Sequence, residues 1–194
     1  MATPDTSPEP ETLRPGCYWK TPFYWEPGCP DAPPPGEVAF APVSDEDLRP
    51  LIGAVMATSM DASDRHLVPT IGLDAAVQEV FDLLPRYFDR QPGWWRVACG
   101  PGGEPRGFVL PVTFQEARYW RDGRPQGSIF YMGVLPRHRG QGLGLQLVHE
   151  ATRVLRQAGC WRIFCDTGTD NAPMVGAFRA AGYLERAPWQ RPLA

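Results

Sequence analysis

The chain is expected to fold as an α+β sandwich, with a mixed, mostly antiparallel central sheet of about six to seven strands and helices on both faces. Three observations lead there. Short β-branched or aromatic runs alternate with longer runs of helical apolar spacing, in the order β-α-α-β-β-β-α-β-α-β. Two turn signals, Gly100-Pro101-Gly102-Gly103 and Asp122-Gly123, mark antiparallel connections. One stretch, residues 128–165, reads strand, helix, strand, the crossover that makes a single pair parallel.

Residues 38–43 read as a first strand. Ser44 stands three residues before Asp47, a capping pattern, and Leu48, Leu51, Ile52, Val55 and Met56 follow at helical spacing. Residues 61–72 are expected to be a polar loop. Asp74 starts a second helix with Val77, Val80, Phe81 and Leu84 on one face, until Pro85, which has no N–H to continue the ladder, interrupts it. Residues 94–99 and 107–114 are apolar and β-branched, as a hairpin requires. The strand at 128–135 leads into a glycine-rich run, after which a helix from Gln141 aligns Leu143, Leu147, Ala151, Val154, Leu155 and Ala158 and stops at Gly159. Residues 161–165 form a short buried strand, 173–181 a final helix closed by Gly182, and Tyr183 opens a last strand.

Composition bounds the function. With 43% hydrophobic residues among 194 the chain can bury a substantial core. Its 23 prolines crowd toward the beginning, so residues 1–36 are read as a proline-rich, aromatic N-terminal extension and 37–194 as the folded domain. The opening has neither the basic start nor the apolar stretch of a signal peptide, and no segment reaches the ~18 apolar residues of a membrane span. A cytoplasmic protein without a membrane partner is the expectation. A net charge of −3 argues against a nucleic-acid partner. The five cysteines show no C-x-x-C pair and are expected to be free thiols, and the three histidines lack metal-ligand spacing, so no metal site is expected. Within the extension, Tyr18, Trp19, Phe23, Tyr24 and Trp25 are too aromatic for a disordered tail and are expected to pack onto the domain.

The most informative run is Val134-Leu135-Pro136-Arg137-His138-Arg139-Gly140-Gln141-Gly142-Leu143-Gly144. It joins an apolar strand to an amphipathic helix through a basic, glycine-rich turn, where free helix-opening N–H groups and the positive end of the helix dipole favour a bound anion. Leu145 and Gln146 stand where a Walker loop needs Lys and Ser or Thr, and the G-x-G-x-G spacing is not the dinucleotide fingerprint. The run resembles instead the Arg/Gln-x-x-Gly-x-Gly/Ala signature of the GCN5-related N-acetyltransferases (GNAT family). A second stretch resembles the same family: Asn171-Ala172-Pro173 leading into a helix that ends Ala181-Gly182-Tyr183. The resemblance covers about residues 37–190.

It implies an acyl-CoA N-acyltransferase-like fold and an acetyl-CoA-dependent N-acetyltransferase, an acyltransferase moving an acetyl group to a primary amine of a small molecule or protein by direct attack on the thioester. Acetyl-CoA would be the co-substrate. By resemblance, the strand carrying Met132 and Val134 would pair with the pantetheine arm, amides of Arg139, Gly140, Gln141, Gly142, Leu143 and Gly144 would hold the pyrophosphate, with the Arg139 or Arg137 guanidinium in reach, and Asn171 would contact the arm. Asp166, at a strand end, is the first candidate general base and Glu116 the second. Phe178 occupies the position where many relatives hold a tyrosine thought to protonate the thiolate, and phenylalanine donates no proton. A non-catalytic acyl-CoA sensor or protein-interaction module of the same fold is therefore the alternative. Only eleven residues follow Tyr183, so the family's closing strand pair cannot be completed there, and residues 17–25 are expected to cover the bare edge or the substrate side. A homodimer stays open.

Overall fold

The computed structural model describes residues 12–33 and 38–193. The polar opening at 1–11 and the prolines at 34 and 35 lie outside them. The chain order is β1 (Cys17–Trp25), β2 (Ala39–Pro42), α1 (Asp45–Met56), α2 (Ala62–Ile71), α3 (Leu73–Tyr87), β3 (Phe88–Asp89), β4 (Arg96–Cys99), β5 (Pro105–Phe114), β6 (Gln126–Val134), α4 (Leu143–Gln157), β7 (Arg162–Gly168), α5 (Ala172–Ala180), β8 (Leu184–Glu185) and β9 (Trp189–Pro192). One nine-stranded sheet runs β2-β4-β5-β6-β7-β1-β8, with β3 on β5 and β9 on β1. Every pair is antiparallel except β6–β7.

Alternation along the strands divides the apolar side chains between two cores. On one face, Phe23, Trp25, Val109, Ile163 and Cys165 meet Leu147, Ala151 and Leu155 of α4 and Phe178 of α5. On the other, Phe108, Leu110 and Val112 meet Leu48 and Ile52 of α1 and Val77, Val80 and Leu84 of α3. Ser44 caps α1 as its spacing predicts, its hydroxyl accepting from the Asp47 amide at 3.1 Å. Gly133 lets α1 approach β6, since a Cβ there would lie 2.5 Å from a Val55 methyl.

Three expectations need correction. Residues 61–72 are not a loop, because α2 occupies them behind an Asp61 cap that accepts from the Ser63 amide. Its buried residue is Asp64, so it carries no apolar stripe by which periodicity could reveal it. Pro85 does not end α3, which continues to Tyr87; near a C-terminus a proline deletes a single ladder bond. The last strand is two short ones, β8 and β9, both on β1.

The aromatic segment expected to cover the edge is itself a sheet strand: β1 lies beside β7 with six paired positions, from Lys20↔Gly168 to Trp25↔Ile163. That partner carries β7 to Gly168, past the expected end at Cys165. By contrast β6 and β7 pair only over Gln126–Ser128 and Arg162–Phe164. Beyond, β6 follows β5 and β7 follows β1, and the two parallel strands part. The β5–β6 register shifts at Leu110/Pro111, so Phe130 is an extra residue on β6. Pro111, paired with Ile129, is the first β5 residue past the bulge, a kind of position at which sheets accommodate proline.

Candidate active site

The parting of β6 and β7 opens a cleft of ≈ 1240 Å³. Its upper end is the glycine-rich turn. Gly140 (φ 74) and Gly142 (φ 76) are left-handed, a conformation that side chains disfavour. No backbone carbonyl among the described residues accepts from the amides of 140–144, so they form a row of donors at the N-terminus of α4. His138 lines the same end with its Nε2 buried and unpartnered.

The sequence-named residues fall here unequally. Met132 and Val134 lie on the part of β6 that has left β7, and both line the cleft, as do Gly140, Gly142, Leu143, Gly144 and Asn171. The Leu143 side chain belongs to the α4 core, which leaves its amide for a ligand. Gln141 is exposed outside the lining. Asn171 precedes α5 without a side-chain capping bond. Arg139 lines the cleft but is already engaged. Its amide donates to the Pro136 carbonyl, and its guanidinium donates to the Val134 carbonyl (3.1 Å), the Thr58 carbonyl (2.9 Å) and the Thr58 hydroxyl (2.8 Å). It latches the end of α1 to the end of β6.

Asp166 faces the cleft within β7, one residue from the strand's apolar side. Lys20 of β1 donates to it at 2.6 Å, with side-chain exposures of 10% and 15%. Burial works against the Lys20 charge, but the Asp166 charge and hydrogen bond outweigh it and hold the ammonium above its ordinary value. Glu116 lies at the opposite rim, half exposed and paired with Arg118 at 3.0 Å. Phe178 is core, stacked on Phe23 at 5.0 Å. The neighbouring Tyr183 is buried too, its hydroxyl bonded to that of Thr152 at 2.7 Å.

Sequence reasoning missed the contribution of α2. Asp61 accepts from the Gly168 amide (2.8 Å) and the Thr167 hydroxyl (3.2 Å). Burial pushes its carboxyl up, yet the Gly168 amide, the Lys20 charge, the Ser63 amide and the Thr167 hydroxyl together hold it below its ordinary value. Asp64 accepts from the Tyr131 hydroxyl at 2.7 Å. Burial raises its carboxyl, against the hydrogen bonds of Ser59 and Tyr131. The Tyr131 phenol is pushed well up by burial and then by the adjacent Asp64. The cue in the sequence was an Asx cap, Asp61 two residues before Ser63, preceding an otherwise unpatterned run.

Comparison with known proteins agrees with this geometry. A family model described as Acetyltransferase (GNAT) family matches residues 73–183. A mycothiol acetyltransferase of Arthrobacter sp. (strain FB24) is 28% identical over 158 residues, 79% of this chain and 45% of its own. This chain thus spans less than half the length of the curated relatives it matches. Among solved structures, a GNAT-family acetyltransferase from Colwellia psychrerythraea superposes with a TM-score of 0.59 at 13% identity, over 89% of this chain and 54% of that one. A GCN5-related N-acetyltransferase from Sphaerobacter thermophilus gives 0.53 at 12%, over 92% and 52%. These two likenesses speak for the fold. The family match, more than half of the chain in length, carries the split between β6 and β7 and the glycine-rich turn within its span, and with them the chain belongs to the GNAT acetyltransferase family.

Proposed function

We propose that the chain transfers an acetyl group from acetyl-CoA to a primary amine by direct attack on the thioester. The observation that carries the reading is the row of unaccepted amides at 140–144, at the head of a cleft between two parting parallel strands. Such donors suit a pyrophosphate, and the unpartnered His138 Nε2 beside them fits a ligand with polar groups. Met132 and Val134 would hold the pantetheine arm as an added strand, with the Val134 amide toward the thioester oxygen. Asn171 would meet the arm from the entrance of α5.

The carboxylates named from the sequence carry partners that count against a free base: Lys20 on Asp166 and Arg118 on Glu116. With Phe178 in the core, the thiolate leaves with a proton from water or the amine. A thiol of ordinary acidity is a good leaving group. A cytoplasmic setting fits the finding that no helix among the described residues is long and apolar enough to cross a membrane. The buried Phe178 also keeps the sensor alternative in view, and turnover decides between them.

Calorimetry with acetyl-CoA tests the site. Gly144→Glu is the informative variant, because position 144 is helical and its Cβ would meet Ala177 at an ordinary 3.8 Å. The glutamate suits the helix N-terminus yet places a negative charge in the anion site. We expect the unmodified chain to bind and the variant to lose at least about tenfold in affinity, the equivalent of ~1.4 kcal/mol. A folded chain that binds no acetyl-CoA overturns the reading.

A further inference from the structure

The half of the cleft away from α4 has a chemistry of its own. Strand alternation sends Lys20, Tyr131, Phe164 and Asp166 to the face that α2 overhangs, away from the α4 core. Two features meet there. The first is an aromatic wall: Phe88 lies 4.9 Å from Phe114 and 5.2 Å from Phe130, Phe114 lies 4.2 Å from Tyr119 and 6.4 Å from Phe164, and all five rings line the cleft. Phe130 is the extra residue of the β6 bulge, so the irregularity beside Pro111 also adds a ring to this wall.

The second is Asp64. Of the cleft carboxylates, Asp166 and Glu116 are paired with cations, and Asp61 is held by two backbone amides and a hydroxyl. Asp64 is held by the hydroxyls of Tyr131 and Ser59, with no ion pair among the described residues. Tyr131 ties it to β6 one residue before Met132. Glu79 of α3 also lines the cleft, without a hydrogen bond to β6 among those described.

We propose that this half of the cleft is the acceptor site for a primary amine carried on an apolar, aromatic-sized body, with the body packed on the five-ring wall and the ammonium received by Asp64. The proposal rests on the acetyl-transfer reading above. The ammonium gives one proton to the Asp64 carboxylate. The freed lone pair forms the C–N bond as the thioester C–S bond breaks, the second amine proton goes to the leaving thiolate, and the proton on Asp64 returns to solvent. Tyr131 holds the carboxylate toward β6 throughout. Asp64 precedes the family-matched span of 73–183, whereas Tyr131 and the five rings lie within it.

The test measures acetylation by the full chain through release of the CoA thiol, with 2-phenylethylamine and glucosamine as acceptors and acetyl-CoA affinity measured separately by calorimetry. We expect kcat/KM for 2-phenylethylamine to exceed that for glucosamine by about tenfold or more, as apolar pockets discriminate on that scale. Asp64→Asn should lower kcat roughly a hundredfold, the usual loss for a general base, with acetyl-CoA affinity unchanged. Phe164→Ala should raise KM for 2-phenylethylamine with kcat nearly kept, the mark of lost ground-state binding. Glu79→Gln should leave both constants near those of the unmodified chain. Glucosamine as the equal or better acceptor, turnover of neither amine despite bound acetyl-CoA, or a kcat that follows Glu79 rather than Asp64 overturns the acceptor assignment alone. A folded chain that fails to bind acetyl-CoA overturns the acetyl-transfer reading and this proposal together.

Discussion

The two faces of the sheet around the β6–β7 split are built on opposite principles. Under α4 and α5 the packing is apolar, with Phe23, Leu147, Ala151, Leu155 and Ile163 at 0% exposure. Under α2 the same strands present Lys20, Tyr131 and Asp166, which with Asp61 and Asp64 of the α2 end form a polar, largely buried cluster. An apolar face is stabilised by area and tolerates imprecision in direction. A charged one holds only when each group has its partner, so it is specific, and it is costly when incomplete. The acceptor chemistry of the proposal sits on the second.

The largest expected effect breaks the charged face. Lys20→Met leaves Asp166 buried without its cation and should cost about 3–5 kcal/mol of unfolding free energy in chemical denaturation, whereas Lys20→Met with Asp166→Leu should recover most of the loss. A double variant as unstable as the single one would show that the pair is not the unit of stability. On the apolar face, Leu147→Ala should cost about 2–5 kcal/mol by transfer and cavity, with no second substitution expected to rescue it.

Gly133→Ala sharpens the comparison where α1 meets β6. The added methyl meets Val55 at 2.5 Å, and overpacking of this kind costs about 1–3 kcal/mol. Stability against pH separates the faces further. Lys20 is held above its ordinary 10.5, so its contribution is complete below that value and is lost as the pH rises through the folded-state value. The alkaline limb should be steeper in the unmodified chain than in Lys20→Met. In acid the two aspartates oppose each other. Asp61, held low, contributes above 3.8 and loses that as the pH falls through its folded value; Asp64, held high, contributes below 3.8 and loses that as the pH rises through its own. The smallest effect is Ser44→Ala, about 1 kcal/mol for a lost cap, with acetyl-CoA binding untouched because α1 begins far from the glycine turn in sequence and outside the cleft lining.

How far the molecule was legible follows the same division. Helices α1, α3 and α4 each bury an apolar stripe, so Leu48 and Ile52, Val77 and Val80, and Leu147 and Leu155 announce themselves by spacing. Helix α2 buries Asp64, so no hydrophobic period exists to be read, and Pro69 within it argues for a break. The glycine-rich turn was legible because local backbone demands, left-handed residues and a helix start, restrict residue type directly. Arg139 shows the limit of that reading. Its place in the motif suggests a phosphate contact, but Thr58, eighty-one positions earlier in the chain, takes its guanidinium.

The amino-acid sequence by itself determined the layered α+β architecture and the glycine-rich turn before α4. Each of these rests on neighbours within a few residues or on a periodicity along one element. Tertiary structure alone decided that β1 lies beside β7, that β6 and β7 part after Ser128 and Phe164, and that Asp64 reaches Tyr131 across sixty-seven positions. Those choices depend on which strand edges find partners and which buried charges find counter-charges, and such pairings form only between segments that the folded chain brings together.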